Sequence, residues 1–253
     1  MSRVRAQGAA LVLVLWLVVL MAALIGAFAM TAQVERLQAR TLDGSLVAGQ
    51  AARAGLEYAI TRISHPDPRL QWLPDGRPYP WRFGGAVVEV RIIDESGKFD
   101  LNAAEPAALS ALMQVLGADR AEADAVAAAI ADWRDADDLL QAVGGAEDPQ
   151  YAAAGLPWGA KDAPFETVAE VEQVLGMTPA LFERLAAHLT VHGGLPIPDA
   201  RFAAAPVLQA IGVDPGPVLA ERERPPRPGE PSFVGAGSGT YSIESQARLG
   251  DGR

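Results

Sequence analysis

Hydrophobic residues follow different spacings along this chain, and each spacing predicts a different element. Residues 9–30 form a run of 22 without a single charge. About 20 residues at ~1.5 Å rise cross the ~30 Å hydrocarbon core of a bilayer, so the run is long enough to span one as a helix. From residue 31 to about 63 the apolar positions thin to threes, fours and their sums: Val34, Leu37, Leu42, Leu46, Ala52, Leu56, Ile60 and Ile63, with no proline. The spacing predicts an amphipathic stem continuous with the span, one helix of roughly 55 residues and about 80 Å.

Residues 65–80 hold prolines 66, 68, 74, 78 and 80 with Gly76 and are expected to form a loop. In 86–94, Val88, Val90 and Ile92 alternate with Val87, Glu89 and Arg91, the period of a strand with one buried face. Residues 100–190 are alanine-rich and read as helices. Pro106 opens 107–116, with Leu109, Leu112, Met113 and Leu116 on one face. The helix 121–133 turns Val126, Ile130 and Trp133 inward. Thr167 caps 168–175, with Glu170 placed as in a capping box, and Thr178-Pro179 starts 180–189. Residues 206–211 form another short helix, and 240–249 alternate as a returning strand. Gly250-Asp-Gly252 then signals a hairpin turn without a return strand, as though a last strand were missing. A weak internal repeat relates 101–112 to 197–208. Each copy leads into a short apolar helix followed by glycine, Gly117 or Gly212, and the second copy is degenerate.

Charge narrows the chemistry. The chain carries −10 overall, and residues 100–190 hold sixteen acids against four basic residues, a balance of −12. Nucleic acid is therefore a poor partner. With no cysteine there are no disulfides and no thiolate metal sites, and His65, His188 and His192 lack ligand spacing. No nucleophile elbow, phosphate loop, zinc helix or dinucleotide fingerprint is present, so the chain reads as a non-enzyme. The acids concentrate in Asp132, Asp135, Asp137 and Asp138, then Glu147 and Asp148. Asp135-x-Asp137 at a helix C-terminus, with Glu147 downstream, offers the oxygen ligands Ca²⁺ takes, although the spacing is not that of an EF-hand. A solvated acidic face is the alternative.

The first thirty residues admit several endings. Ala27-Phe28-Ala29 is a small-x-small site of the kind signal peptidase prefers, and a plain membrane anchor is another possibility. Against a signal peptide, the apolar run exceeds the ~7–15 residues of a signal core. Arg3 and Arg5, with no acid, should keep the head cytoplasmic and place the body outside. The junction Arg5-Ala6-Gln7-Gly8 followed by Ala9-Ala10-Leu11-Val12-Leu13 resembles type IV pilin-like prepilins, whose basic leader ends in Gly. That resemblance implies cleavage between Gly8 and Ala9 by a prepilin peptidase, with methylation of the new terminus. Most pilins carry Glu at the fifth mature position, which here is Leu13.

An apolar residue there is similar to the K-type minor pseudopilins of type II secretion systems. The same resemblance extends over Asp94-Glu-Ser-Gly-Lys-Phe-Asp-Leu-Asn102, Asp132-Trp-Arg-Asp-Ala-Asp-Asp138, Gly145-Ala-Glu147, Lys161-Asp-Ala-Pro-Phe-Glu166 and Leu175-Gly-Met177, and fades between 195 and 240. It implies an α+β fold: a long N-terminal pilin-like helix, a small antiparallel sheet and an inserted all-α domain of SAM-like, helix-hairpin-helix-like type. The expected segments are a leader (1–8), a transmembrane helix (9–30), a stem (31–63), a loop and first strands (64–99), a first helical domain (100–194), a second degenerate one (195–231) and returning strands (232–253).

The resemblance further implies calcium held by Asp135, Asp137 and Glu147, with Asp132, Asp138, Asp148 and Asp162 as remaining candidates. It implies a single-pass inner-membrane protein with a periplasmic body, assembling with I- and J-type minor pseudopilins at the tip of the pseudopilus. Inner-membrane lipid and the peptidase would be its other partners. Rival readings are a membrane-anchored DNA-uptake protein, which the −12 block opposes, and a type IV pilus minor pilin, which would usually keep the Glu.

Overall fold

The computed structural model describes residues 5–67, 69–224, 234–235 and 237–250. Residues 1–4, the Pro/Arg-rich segment 225–231 and Asp251-Gly252 lie outside them, as does the burial of Gly8, Ala9 and Leu37. The expected long helix is one element, α1 (Arg5–Ile63). Its part Ala10–Arg36 is long and apolar enough to cross a membrane, and none of its most apolar stretch is buried. Such a helix fits single-pass anchoring.

The buried stripe of the stem differs from the one the large apolar positions suggest. Val34, Leu42, Leu46, Leu56 and Ile60 are exposed, whereas Gly44, Ala51, Gly55, Ala59 and Ile63 are buried. Small side chains spaced at fours let a helix backbone approach its neighbours closely. The bulkier residues are left on the outer faces.

Contacts divide the chain into two compact units, residues 1–54, 81–88 and 246–253, and residues 55–80 with 89–245. In the first, Leu46, Val47, Gln50 and Ala51 of α1 line a shallow apolar groove of about 240 Å³ with Phe83 and Gly84. In the second, the end of α1 is fixed by aromatic packing. Trp72 stacks on Tyr79 at 4.5 Å and meets Tyr58 edge-on at 5.3 Å. The Trp72 N–H donates to the Arg62 carbonyl, and the Gln71 amide to that of Ile63.

Strand β1 (Asp75–Phe83) begins inside the stretch expected to be loop. Pro78 and Pro80 are tolerated because β1 lies at the edge of its sheet, where a missing N–H leaves no ladder bond unmade. Strand β2 (Ala86–Asp94) matches expectation, with Val88, Val90 and Ile92 fully buried. A 3₁₀ turn, Glu95–Gly97, leads to β3 (Phe99–Asp100).

The helical block comes next: α2 (Pro106–Val115), α3 (Arg120–Arg134), α4 (Asp148–Ala153), a 3₁₀ segment Val168–Gln173, α5 (Pro179–Leu185), β4 (Leu189–Thr190), α6 (Ala205–Ala210) and α7 (Pro215–Glu223). Strand β5 (Tyr241–Leu249) returns to complete the antiparallel sheet in the order β1-β2-β5. The core of the block gathers Leu109, Leu112 and Met113 from α2, Val126, Ile130 and Trp133 from α3, and Leu181 and Leu185 from α5. Each such side chain contributes roughly 1.5–3 kcal/mol on burial.

Two expected helices are shorter than their sequence patterns. The helix expected over 168–175 is a 3₁₀ segment ending at Gln173, with the Thr167 N–H donating to the Glu170 carboxylate at 2.8 Å. The helix expected over 180–189 ends at Leu185, since Leu189 and Thr190 pair in parallel with Phe99 and Asp100. The pattern along the chain did not reveal α4 and α7.

Gly97 sits where the turn after β2 meets the lead-in to α6. A Cβ there would lie 2.6 Å from the carbonyl carbon of Phe202, closer than any relaxed contact. Gly97→Ala should therefore lower stability by about 2 kcal/mol through overpacking, read as a lower melting temperature of the full chain in detergent.

Candidate functional site

The C-terminal end of α3 sets the geometry of the acidic segment. Asp132, on the buried face of the last turn, is fully buried. Its carboxylate accepts from the Ala146 N–H at 2.7 Å and the Gln141 N–H at 3.2 Å, which folds residues 135–147 back over the helix end. Burial pushes its pKa up, and those two N–H donors partly offset the rise. Gly145 is required for this closure, because a Cβ there would lie 2.1 Å from Asp132 Oδ2.

Asp135 ends α3, its N–H donating to the Ala131 carbonyl at 3.1 Å. Its Oδ1 is buried with no hydrogen-bond partner. Burial raises its pKa, and the neighbouring Asp137 raises it further. Glu147, at the start of α4, is 4% exposed, and its Oε1 is likewise buried without a partner. Its pKa is pushed up to about 7, by burial first and then by Asp132, Asp135, Asp162 and Asp138. Five of the expected carboxylates thus share one electrostatic neighbourhood with Glu147 or Asp135.

Asp137 and Asp138 are exposed, and Asp137 accepts from the Leu139 N–H at 2.9 Å. Asp162 is the one described non-glycine residue with positive φ, +53°. Asp148 stands apart, its carboxylate against Gly159. Among the described residues, no three Asp, Glu or His side chains are gathered closely enough to hold a metal ion.

Cations adjacent in sequence are spent elsewhere. Arg134, next to Asp135, turns its guanidinium to the carbonyls of Leu101 and Ala104. Lys161, next to Asp162, pairs with Glu170 at 2.7 Å. The result is two buried, unpartnered carboxylate oxygens, Asp135 Oδ1 and Glu147 Oε1, in an acidic neighbourhood. That donor set is all oxygen and suits a hard cation. At the other end of the chain, Gly8 and Ala9 lie within α1, and Leu13 is 68% exposed on its apolar part.

A long apolar helix joined to a small antiparallel sheet, with a helical block inserted before the last strand, defines a pilin-like protein carrying a helical insert. Residues 90–194 match the family model of type II secretion system protein K. The type II secretion system protein K of Klebsiella pneumoniae is 31% identical over 204 residues, 72% of this chain and 61% of that one. Its counterpart in Pseudomonas aeruginosa is 28% identical over 187 residues, 69% of this chain and 56% of that one. This chain carries a domain of the type II secretion system protein K family at residues 90–194. It spans about three fifths of the length of these curated relatives. A chain in the crystal structure of the GspK–GspI–GspJ complex from enterotoxigenic Escherichia coli shares the fold at 17% identity. The TM-score is 0.52, over 86% of this chain and 89% of that one.

The raised pKa of Glu147 fixes the sign of a pH effect. An acid whose folded value exceeds its unfolded value stabilises fully below the unfolded pKa, and that contribution is lost as pH rises through the folded one. In chelator, the wild-type melting temperature should fall relative to Glu147→Gln as pH rises from about 4.5 through about 7. Parallel melting curves for the two across that window would contradict the burial and charge crowding described.

Proposed function

We propose that this chain is a minor pseudopilin that sits at the tip of a periplasmic pseudopilus and helps to start or limit its growth during protein export. The observation that carries the proposal is the match of residues 90–194 to protein K, on a fold shared with a chain of the GspK–GspI–GspJ complex. By that likeness its partners are the I- and J-type minor pseudopilins. In this reading the leader is removed after Gly8 by a prepilin peptidase, and the apolar part of α1 stays in the inner membrane, with the body in the periplasm. Ala22, Ala23, Gly26 and Ala27 let neighbouring stems approach. Leu13 offers no carboxylate to a subunit above, and it avoids an unpaired charge in lipid. Both properties suit a terminal position, and the helical block adds bulk that opposes addition beyond it.

Quantitative mass spectrometry of sheared filaments tests both parts. The amino-terminal peptide should begin at Ala9, and the chain should be present in very few copies per filament. A start at Met30 would support the signal-peptide alternative, and major-subunit abundance would end the tip assignment.

The acidic cluster is part of the proposal as a Ca²⁺ site. Asp135 and Glu147 would supply the oxygens that lack partners, with Asp137, Asp138 and Asp162 nearby. Asp132 would act mainly through the backbone it holds, and Asp148 contributes least. The ion would neutralise repulsion among these groups and brace residues 135–147 against α3. A ligand bound only by the folded state stabilises by about 2.7 kcal/mol at a hundredfold excess over its Kd. The chain should thus melt several degrees lower in chelator than in Ca²⁺, and Asp137→Asn should weaken binding more than Asp119→Asn. Identical melting with and without calcium would remove the metal from this proposal.

A further inference from the structure

The degenerate repeat becomes explicit in the hydrogen bonds. In the lead-in to α2, the Asp100 carbonyl accepts from the N–H groups of Ala103 and Ala104, and its Oδ1 from that of Asn102. In the lead-in to α6, the Asp199 carbonyl accepts from Phe202 and Ala203, and its Oδ1 from Arg201. Both first helices close on a glycine of positive φ, Gly117 at +91° and Gly212 at +77°. The next residue donates five positions back, Ala118 to Met113 and Val213 to Leu208. Asp119 then caps α3 and Asp214 caps α7.

The second hairpin is shorter by close to whole turns. Helix α2 has 10 residues and α6 has six, a loss of four, and from cap to clasping arginine the distance falls from 15 positions (Asp119 to Arg134) to eight (Asp214 to Arg222), a loss of seven. At 3.6 residues per turn, such losses keep each side chain on its original face. The consequence is visible at the ends of α3 and α7. Arg134 donates to the carbonyls of Leu101 and Ala104, and Arg222 donates to those of Ala200 and Ala203 at 2.8 and 2.6 Å. These are the same two positions of each lead-in turn. Each guanidinium therefore clasps the second helix of its hairpin to the turn that starts the first.

The residue after the clasp differs between the copies. Arg222 precedes Glu223, whose side chain is 77% exposed. Arg134 precedes Asp135, whose Oδ1 is buried and unpartnered. We infer that Arg134 is the positioning residue of the acidic segment: its clasp fixes the end of α3, and with it the direction in which Asp135 presents its free oxygen to a divalent cation. Arg222 performs the clasp alone. This inference rests on the calcium reading above.

The full-length protein in detergent, as wild type, Arg134→Met, Arg134→Lys and Arg222→Met, tests it by calorimetric titration with Ca²⁺ and by Tb³⁺ emission excited through tryptophan. Loss of either clasp should lower the melting temperature in chelator by a similar amount. Only Arg134→Met should weaken Ca²⁺ binding, by about tenfold or more, as loss of a group that orients a metal ligand does. Arg134→Lys should fall between, and it supplies the reading if the methionine variant does not fold. Wild type that binds calcium together with an Arg134 variant of unchanged affinity would overturn the positioning role while leaving the calcium reading intact. Equal weakening by Arg222→Met would overturn it as well, by showing a general loss of structure. Wild type that binds neither ion would remove both.

Discussion

A single buried carboxylate, Asp94, holds together the two ends of the helical detour. Its oxygens accept from the Ser96 N–H at 2.9 Å and the Ser238 N–H at 2.6 Å, and from both serine hydroxyls at 2.6 and 2.7 Å. Ser96 is where the chain leaves the sheet after β2, and Ser238 is where it comes back before β5, 144 positions beyond Asp94. A buried carboxylate without partners would be severely destabilising, so its position is strongly specified by those four donors. Glu95 reinforces the junction. Burial alone would raise its pKa, but hydrogen bonds from Lys98, Ser242 and Thr190 hold it below the ordinary value. With the ends tied, a long excursion adds only slowly to the entropy cost of closing the sheet.

Hydrogen-bond partners likewise separate two kinds of acid in a block that looks uniformly negative. Asp100, Asp119, Asp132, Asp199 and Asp214 each accept from backbone N–H groups and hold turns or helix starts in place. Their charge is spent on architecture. Asp135 is half-buried and Glu147 buried, yet each keeps a buried oxygen without a donor. Crowded charge that the fold has not neutralised is where an external cation gains most.

The long apolar helix and the helical block answer to different demands. To fit a bilayer the apolar part of α1 needs only length and a lack of charge, and Leu13 belongs to that uncharged stretch. The stem below it needs a narrow face, and Gly44, Ala51, Gly55 and Ala59 supply one while Leu42, Leu46 and Ile60 remain outward. The block needs internal closure, and two arginines provide it at equivalent places. Burial lowers the pKa of both guanidinium groups, and both are faced by the aspartate of their own lead-in turn.

The local sequence was sufficient wherever an element depends on spacing alone. The uncharged run and the proline-free stem set α1. Alternation set β2 and β5, and the core faces of α2 and α3 came from Leu109, Leu112, Val126 and Ile130. Five of the acids named from composition lie on one helix end and the loop beyond it, near enough to act on one another's charge but, among the described residues, not gathered as three ligands of one ion. Asp148 does not, since α4, unsuspected in the sequence, carries it toward Gly159. Other features depended on contacts between distant residues. Pro78 and Pro80 argue for a loop until β1 is seen to be an edge strand. Leu189 reads as the end of a helix until Phe99 offers it a parallel partner. Arg134 is one basic residue among sixteen acids when charges are counted. Only when α3 packs back on its own lead-in turn does its guanidinium meet two carbonyls, as Arg222 does a repeat later. Periodicity and charge are properties of neighbours in the chain, and so were determined by the sequence. Which backbone groups are left to be satisfied is decided by packing, and only the tertiary structure could assign them.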